Sequence, residues 1–488
     1  MKVKTESSTK KKTQLLCGFV LENSNKVLGL GKFDAKTSSA INQTLKDMEG
    51  KLGKLSIIPA KNPAQRILLA GLGKKENLTN DTIRFVSGKV ALKARELKLK
   101  EFSVITPPSF LTDQNSSVSQ IIEGCKMALY KFDKFKSEKA DNSPDLTIIV
   151  SKSKKILQTI KTAQIVAEGA IFTKSIANLP PNECTPTTLA SLAKTISKKN
   201  KMKCSIISQP ELKKKGFGGI TSVGQGSKNE PKLIILEYNH GSRNDKPIVL
   251  VGKAVTFDTG GISLKSGEKM DEMKFDKCGG CTILGIMKAV SELKLPINLV
   301  GIIPSVENMP GGESYRPGDI IKLYGGKTAE ILNTDAEGRL ILADALAYGE
   351  KHYSPKTIID FATLTGACII ALGNNVAGMV SNNEKLAKKI NEASQRTTEE
   401  VWELPLNQDY MDMIKSDVAD MKNIGIGRAA GTITAAAFLR NAIENTPWAH
   451  IDIAGVAWTQ IATKEKSYNP KGATGFGVRL ILDYLQKL

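Results

Sequence analysis

The most constraining feature of the sequence is a series of apolar runs with no polar alternation. Examples are "PIVLVGK", "INLVGIIP" and "TIIDFATL". Continuous Val, Ile and Leu runs of this length are typical of strands that are buried on both faces of a sheet. Helical patterns such as "CTILGIMKAVSELK" and "RLILADALAYGEKHY" lie between the runs. The alternation predicts an α/β fold in which a mostly parallel, mixed sheet carries helices on both faces, a three-layer α/β/α arrangement.

The length of the chain predicts two domains. A chain of 488 residues exceeds what a single hydrophobic core usually serves. We expect a small α/β domain over residues 1–160 and a larger α/β/α domain over residues 161–488. The junction falls on a long helical segment that must stop at Pro180 and Pro181. Residues 1–12 are polar and rich in lysine, so we expect them to be an unstructured end.

Positive charge is concentrated in the first third of the chain. Residues 1–160 contain 29 Lys and Arg against 15 Asp and Glu, a net charge of +14 out of +20 for the whole chain. A basic domain could attract nucleic acid, but these lysines are not interleaved with aromatic residues, which favours ordinary solvated faces. The sequence has no apolar run of about 20 residues and no signal-peptide pattern, so we expect a cytoplasmic protein without membrane association.

Charged residues follow several of the predicted strands, where ligands bind in open α/β sheets. Lys253 ends "PIVLVGK", Asp258 and Lys265 come after it, and Asp276 precedes a predicted helix. Each has a common structural explanation when taken alone, since an Asp before Gly-Gly usually shapes a turn and an Asp before a helix usually caps it. Taken together, they indicate a common ligand site more strongly than any one of them does.

The segment "NTDAEGRL" adds Asp335, Glu337 and Arg339. Residues i and i+2 of an extended chain face the same side, so the two carboxylates can point at one target. Carboxylates crowded at one edge repel each other unless cations compensate them. Two divalent cations are one solution, and an oxygen-rich site suits Mg²⁺ and Mn²⁺ as well as Zn²⁺. The spacing alone indicates only a metal site.

These motifs resemble those of the leucyl (cytosol) aminopeptidases. The resemblance rests on "VGKAVTFDTGGISLK", "MDEMKFD" and above all "NTDAEGRL", and it continues through "NLPPNECTP", "ATLTGACIIALG", "SDVADMKN", "WAHIDIAGVAW" and "KGATGFGVRLI". The matches run in order over about residues 165–488. The N-terminal part is similar only through its α/β pattern and "ILLAGLGK". Ala254 stands where the family commonly has glycine, and "KCGGC" stands where the family usually has an Ala-Ala pair after Asp276. Neither departure changes a proposed ligand.

The resemblance implies an enzyme that removes N-terminal residues, preferably leucine or other apolar ones, from peptides with a free N-terminus. It implies two metal ions per subunit, Mn²⁺ or Zn²⁺, which together hold a bridging hydroxide. The tighter site would use Lys253, Asp258, Asp276 and Glu337, and the exchangeable site Asp258, Asp335 and Glu337. Lys253 can bind a metal only as a neutral amine; the alternative is that it stays protonated and pairs with a carboxylate.

The resemblance also assigns the remaining roles. Lys265 and Arg339 would be the catalytic pair, with Lys265 stabilising the oxyanion and Arg339 holding a bicarbonate that serves as the base. Met273, Thr363 and Gly366 would line the pocket for the first side chain, and Leu364 would offer its carbonyl to the substrate amine. The family is typically a homohexamer, which makes the N-terminal domain a non-catalytic, oligomer-supporting one, and its role is intracellular peptide turnover.

Two alternatives remain open from the residues. A two-metal phosphoesterase would fit clustered carboxylates, although such sites often include histidine, and we expect the three histidines of this chain to lie away from the motifs. DNA binding by the basic N-terminal domain would be an addition to peptidase activity and not a replacement for it.

Overall fold

The computed structural model of the chain describes residues 1–9, 12–31, 33–138, 143–425, 427 and 429–488. The chain divides into two compact units. The first consists of residues 1–171 and 465–470, and the second of residues 172–464 and 471–488. The division falls within one long helix, and the functional boundary after residue 160 stays a prediction.

The first unit is an α/β domain with a mostly parallel sheet. Its strands are β1 (Val3–Glu6), β2 (Thr13–Leu21), β3 (Leu55–Pro59), β4 (Ala64–Gly73), β5 (Glu101–Ile105) and β6 (Asp145–Ile149). Its helices are α1 (Ala35–Met48), α2 (Asn80–Glu96), α3 (Gln114–Ala128) and the first part of α4 (Lys154–Ala177), with a 3₁₀ turn at Lys75–Asn77. Within the described residues the strand order is β1-β6-β5-β2-β4-β3, and the edge strand β3 is the antiparallel member.

The start of the chain corrects one expectation. Val3–Glu6 forms β1, which pairs in parallel with β6 so that Val3 lies opposite Leu146. This pairing supplies partners for the backbone groups at the edge of β6, which would otherwise be exposed. The prediction of an unstructured end over residues 1–12 is therefore wrong for Val3–Glu6, and Lys10 and Lys11 lie outside the described residues.

The second unit is the larger one. Its strands are β7 (Lys203–Ile207), β8 (Lys232–Asn239), β9 (Ile248–Gly252), β10 (Ala254–Asp258), β11 (Asn298–Asn308), β12 (Ile320–Lys322), β13 (Thr328–Glu330), β14 (Thr357–Ala362), β15 (Ala377–Ser381), β16 (Val401–Glu403), β17 (Met421–Lys422) and β18 (Trp448–Asp452). In the described residues the main sheet has the order β16-β15-β18-β14-β9-β11-β8-β7, with β10 also paired to β11. The central strands β18, β14, β9 and β11 are mutually parallel, and β15, β8 and β7 add antiparallel pairings.

Eleven helices, counted over the described residues, belong wholly or partly to the second unit. They are the end of α4, then α5 (Pro186–Asn200), α6 (Gln209–Lys215), α7 (Gly218–Gly224), α8 (Cys278–Leu293), α9 (Gly338–Tyr353), α10 (Gly366–Leu372), α11 (Glu384–Thr397), α12 (Gln408–Asp412), α13 (Gly431–Arg440) and α14 (Val478–Gln486), with a 3₁₀ segment at Met270–Lys277. In the part of the chain that the structure describes, we find no helix with the length and apolar character to cross a membrane.

Strand β11 shows how the helices cover both faces of the sheet. Gly301 lies against Ile283 and Met287 of α8, whereas the next residue, Ile302, lies against Gly349 of α9. Neighbouring residues of a strand face opposite sides, so α8 and α9 lie on opposite faces. The predicted three-layer α/β/α fold with a mostly parallel, mixed sheet is confirmed.

A break between two collinear strands prepares the candidate site. β9 and β10 pair in succession along the single long strand β11. Lys253 lies between them, and its backbone makes hydrogen bonds to elements other than β11. Its N–H donates to the Phe361 carbonyl at 3.0 Å, and its carbonyl accepts from the Gly280 N–H at 2.7 Å. The interruption places the Lys253 side chain at the carboxyl end of β9.

Gly279, in the first turn of α8, lets the helix approach that break. A Cβ at residue 279 would lie 2.1 Å from the Phe361 carbonyl oxygen and 3.0 Å from the Lys253 backbone nitrogen. Both are backbone atoms, which cannot move aside as a flexible side chain can. The glycine is therefore required by a close approach and not by an unusual backbone angle.

We expect Gly279→Ala to destabilise the protein by about 1–3 kcal/mol or more, the usual range for overpacking a rigid core. Urea unfolding of the purified chain measures this change. Gly312→Ala is the matched control, since Gly312 is exposed and a Cβ there has open space around it. Equal unfolding midpoints for the two variants would show that the helix can retreat without cost.

Candidate active site

The five residues predicted as metal ligands come together at the carboxyl edge of the main sheet. Lys253 follows β9, Asp258 ends β10, and Asp276 lies in the 3₁₀ segment before α8. Asp335 and Glu337 lie in the loop that leads into α9. Lys253 and Asp258 lie at strand ends of the main sheet, where ligands bind in open α/β folds, and the segments that lead into α8 and α9 bring the other three residues to the same place.

Lys253 is at the centre of the inner half of this cluster. Its Nζ lies 2.7 Å from Oδ1 of Asp276 and 2.8 Å from Oε1 of Glu337, and it donates to the Thr363 carbonyl at 2.9 Å. Its side chain is 3% exposed. The ammonium group thus donates two hydrogen bonds, to Asp276 and to the Thr363 carbonyl, and forms an ion pair with Glu337.

Lys265 occupies the outer half. Its Nζ lies 3.0 Å from Oδ2 of Asp258 and also contacts Oδ1 of Asp335. Asp258 is held by further donors, because its Oδ1 accepts from the Gly260 N–H and from the Asn308 amide, both at 2.9 Å. Ligand oxygens of Asp258, Asp335 and Glu337 lie within 4.8 Å of one another.

The burial of so many charges shifts their proton affinities. Burial, with the nearby Glu337 and Asp258 adding to it, raises the pKa of Asp276 well above its usual value. Burial and the charges of Asp258 and Glu337 raise the pKa of Asp335 to about 6. Burial alone would lower the pKa of Lys253 and Lys265, but the surrounding carboxylates raise both above the ordinary lysine value. Both lysines therefore carry a positive charge at neutral pH.

Two buried carboxylate oxygens test whether this donor set fits metal ions. Among the described residues, Oδ2 of Asp276 and Oε2 of Glu337 have no hydrogen-bond partner. An orphaned buried acceptor costs free energy unless another group occupies it. Carboxylate oxygens are ligands that Mn²⁺ and Zn²⁺ accept, so the residues present fit divalent cations.

Arg339 lies in the first turn of α9, two residues after Glu337. It is buried, and its Nη1 donates to the Asn423 carbonyl at 2.6 Å, while its Nε has no partner among the described residues. Burial lowers its pKa to about 10, with Glu337 and Asp452 opposing the shift. It remains a cation at neutral pH with donor capacity left over, which suits a small anion.

The predicted substrate-side residues differ in how closely they join the cluster. Thr363 joins it directly, because its hydroxyl donates to Oδ1 of Asp276 at 2.7 Å and its carbonyl accepts from Lys253. Leu364 is the next residue and donates its N–H to Asp452. Gly366 begins α10, and a Cβ added at this position would have open space around it. Met273 is half-buried in the 3₁₀ segment, three residues before Asp276.

Sequence reasoning missed several residues that hold the site together. Asn308, at the end of β11, donates to Asp258 and, at 3.1 Å, to the Thr334 carbonyl. Asp452, at the end of β18, accepts from Leu364. Both residues end strands, which is where ligands bind in open α/β sheets. Asn308 carries no charge and Asp452 lies within the apolar run "HIDIAGV", so neither was recognised as a site residue.

A histidine also lies nearer than expected. His450 is fully buried in β18, and its Nδ1 lies 2.6 Å from Oδ1 of Asp360. Burial would lower its pKa, but Asp360 raises it above the usual value, with Asp452 adding to the rise and Arg339 opposing it. The expectation that all three histidines lie away from the motifs is wrong for this one, although it contacts none of the five predicted metal ligands.

Comparison with known proteins agrees with the geometry. The family model described as the cytosol aminopeptidase family, catalytic domain, matches residues 171–482, and the model of the N-terminal domain of the same family matches residues 19–139. The probable cytosol aminopeptidase of Cenarchaeum symbiosum is 60% identical over 100% of this chain and 99% of its own length. That of Roseiflexus castenholzii is 43% identical over 90% of this chain and 91% of its own.

A solved structure supports the same assignment. The bottromycin maturation enzyme BotP, solved in complex with Mn, superimposes with a TM-score of 0.85 at 27% identity, covering 97% of this chain and 99% of BotP. Together, the catalytic and N-terminal family models span most of the chain. The chain therefore belongs to the cytosol aminopeptidase family and is a metal-dependent aminopeptidase, a hydrolase of peptides.

Proposed function

We propose that the chain removes N-terminal residues, preferably leucine and other apolar ones, from peptides at a two-metal centre. One observation carries this proposal: three carboxylates, Asp258, Asp335 and Glu337, offer oxygens within 4.8 Å of one another, and Asp276 adjoins them through Lys253. So much negative charge in one place is suited to more than one dication.

The proposed ligands follow from the two halves of the cluster. Lys253, Asp258, Asp276 and Glu337 would hold the tighter ion, and Asp258, Asp335 and Glu337 the exchangeable one, with Mn²⁺ or Zn²⁺ as the metals. The bound ions would supply Lewis acidity, lowering the pKa of a water molecule and polarising the scissile carbonyl. Lys253 would have to release a proton before it could serve as a ligand, since in this structure it pairs with Asp276 and Glu337.

Lys265 and Arg339 are the proposed catalytic residues. Lys265 stays charged beside Asp258 and Asp335 and is 24% exposed, so it can donate to an oxyanion that forms at the rim of the cluster. Arg339 stays charged with an unpartnered Nε, which supports its proposed role of binding bicarbonate, the base that would take the proton from water.

The segment from Thr363 to Gly366 is the proposed binding strip for the substrate's N-terminal residue. Thr363 adjoins Asp276, and the Leu364 carbonyl is proposed to accept from the substrate amine. Gly366 leaves room beside the strip, and Met273 is proposed as the apolar wall of the pocket. Recognition of the free amine is what would restrict cleavage to N-terminal residues.

The remaining assignments rest on the family resemblance and on the charge of the chain. The resemblance supports a homohexamer, a non-catalytic N-terminal domain that stabilises it, and a role in cytoplasmic peptide turnover. The net charge of +14 on residues 1–160 is the observation that keeps DNA binding as an added activity.

Removing the metals tests the proposed function directly. We expect hydrolysis of leucine p-nitroanilide to be lost in EDTA and to return when Mn²⁺ or Zn²⁺ is added in excess, because the bound ions are proposed to supply the Lewis acidity that activates water. Activity that persists in EDTA would contradict a metal centre. Parallel assays with p-nitrophenyl phosphate distinguish the phosphoesterase alternative, which predicts turnover of the phosphate ester instead.

Blocking the substrate amine tests how the N-terminus is recognised. We expect N-acetyl-leucine p-nitroanilide to be cleaved at least about a hundredfold more slowly than the free-amine substrate, the cost of losing about 3 kcal/mol of interaction. The two initial rates at equal concentration give the ratio. Comparable rates would exclude a role for the amine.

Replacing Lys265 tests the oxyanion donor. We expect Lys265→Ala to lower kcat about 10²–10³-fold, as the loss of one preorganised donor does, with a smaller change in KM. Steady-state kinetics with leucine p-nitroanilide measure both. Lys322→Ala, at an exposed lysine on β12, is the control and should keep wild-type kcat. An unchanged kcat in Lys265→Ala would remove Lys265 from the mechanism.

A further inference from the structure

The peptide group between Thr363 and Leu364 is held at both of its ends. Its carbonyl, from Thr363, accepts from Nζ of Lys253 at 2.9 Å, and its N–H, from Leu364, donates to Oδ1 of Asp452 at 3.1 Å. The C=O and N–H of a trans peptide are coplanar and point in opposite directions. Whatever fixes the N–H therefore also aims the carbonyl at Lys253.

Asp452 is itself rigidly placed. It is fully buried at the end of β18, where it pairs with Ala362 at the end of β14. Its Oδ1 also accepts from the Ala454 N–H at 3.1 Å, and its Oδ2 accepts from the Thr365 hydroxyl at 2.7 Å. The carboxylate is thus anchored to the sheet on one side and holds the binding strip on the other.

The three acceptors around Lys253 are not equivalent. Asp276 and Glu337 are carboxylates and are themselves proposed metal ligands, whereas the Thr363 carbonyl is neutral and is not. A cation that binds those carboxylates competes with Lys253 for them. The Thr363 carbonyl is then the acceptor left to orient the Lys253 nitrogen.

We propose that Asp452 is a positioning residue for Lys253, acting through the Thr363–Leu364 peptide. Through this contact it would set the metal affinity of the tighter site, of which Lys253 is a proposed ligand. The proposal rests on the proposed function, in which Lys253 is a metal ligand. Residues that orient a metal ligand commonly change metal affinity 10- to 100-fold when they are replaced.

The affinity of the full-length protein for Mn²⁺, measured by equilibrium dialysis, tests the proposal without recourse to activity. We expect Asp452→Ala to weaken the tighter Mn²⁺ site by at least about tenfold. Asp452→Asn should keep most of the affinity, because both backbone donors reach the same oxygen, Oδ1, and an amide oxygen can replace it. If Asp452→Ala does not fold, Asp452→Leu fills the volume without accepting a hydrogen bond and is expected to show the same loss.

Asp344→Ala is the matched control for general loosening. Asp344 is equally buried and also accepts two backbone N–H groups, from Ile220 at 2.9 Å and Tyr324 at 2.7 Å, but it contacts none of the proposed ligands. It should lower the unfolding midpoint while leaving Mn²⁺ affinity unchanged. Equal losses of affinity in Asp344→Ala and Asp452→Ala would overturn the proposal.

A double-mutant cycle decides whether Asp452 acts through Lys253. In a Lys253→Met background, Asp452→Ala should cause no further loss of Mn²⁺ affinity, since the contact that it transmits is already gone. A further tenfold loss in that background would overturn the proposal, as would unchanged affinity of Asp452→Ala on its own. A wild-type protein that binds no Mn²⁺ would instead contradict the proposed function.

Discussion

The acidic cluster depends on two lysines that are built into it. Four carboxylates at one buried edge would otherwise take up protons or separate, because burial and mutual repulsion both oppose their ionised forms. Lys253 and Lys265 each pair with two of the four. The strand break, the close approach at Gly279 and the Thr363 carbonyl all help to place the Lys253 side chain beside its two carboxylates. The two lysines compensate part of the negative charge at this edge, and the raised pKa values of Asp276 and Asp335 reflect the burial and the charge that they leave uncompensated.

The same ion pairs affect how the protein would bind metal. Lys253 and Lys265 already pair with the four carboxylates, so a dication must compete with these ammonium groups as well as with water. Such competition favours ions of higher charge, which gain more from each carboxylate than a lysine does. Two oxygens that have no hydrogen-bond partner among the described residues, on Asp276 and Glu337, provide a starting point that the lysines do not occupy.

Much of the fold could be predicted from the sequence because buried parallel strands carry an unmistakable apolar signal. β9, β11 and β14 are examples. The short strand Val3–Glu6 could not be predicted, since four residues of mixed polarity have no recognisable period and depend on an edge that forms far away in sequence. The five proposed ligands were found through motifs, whereas Asp452 was not. Its bond to Leu364 joins residues 88 apart, and only the register of β14 against β18 brings them together.

The break at Lys253 also determines where this chain can tolerate changes in length. One residue inserted or deleted in β9 would reverse the facing of every side chain after it and would turn Lys253 away from the carboxylates. The backbone of Lys253 is hydrogen-bonded to Phe361 and Gly280 on separate elements, so the change in register could not be accommodated locally. Loops at the opposite edge of the sheet carry no such restriction. Insertions and deletions among relatives should therefore accumulate at the amino ends of the strands, leaving the carboxyl edge constant in length.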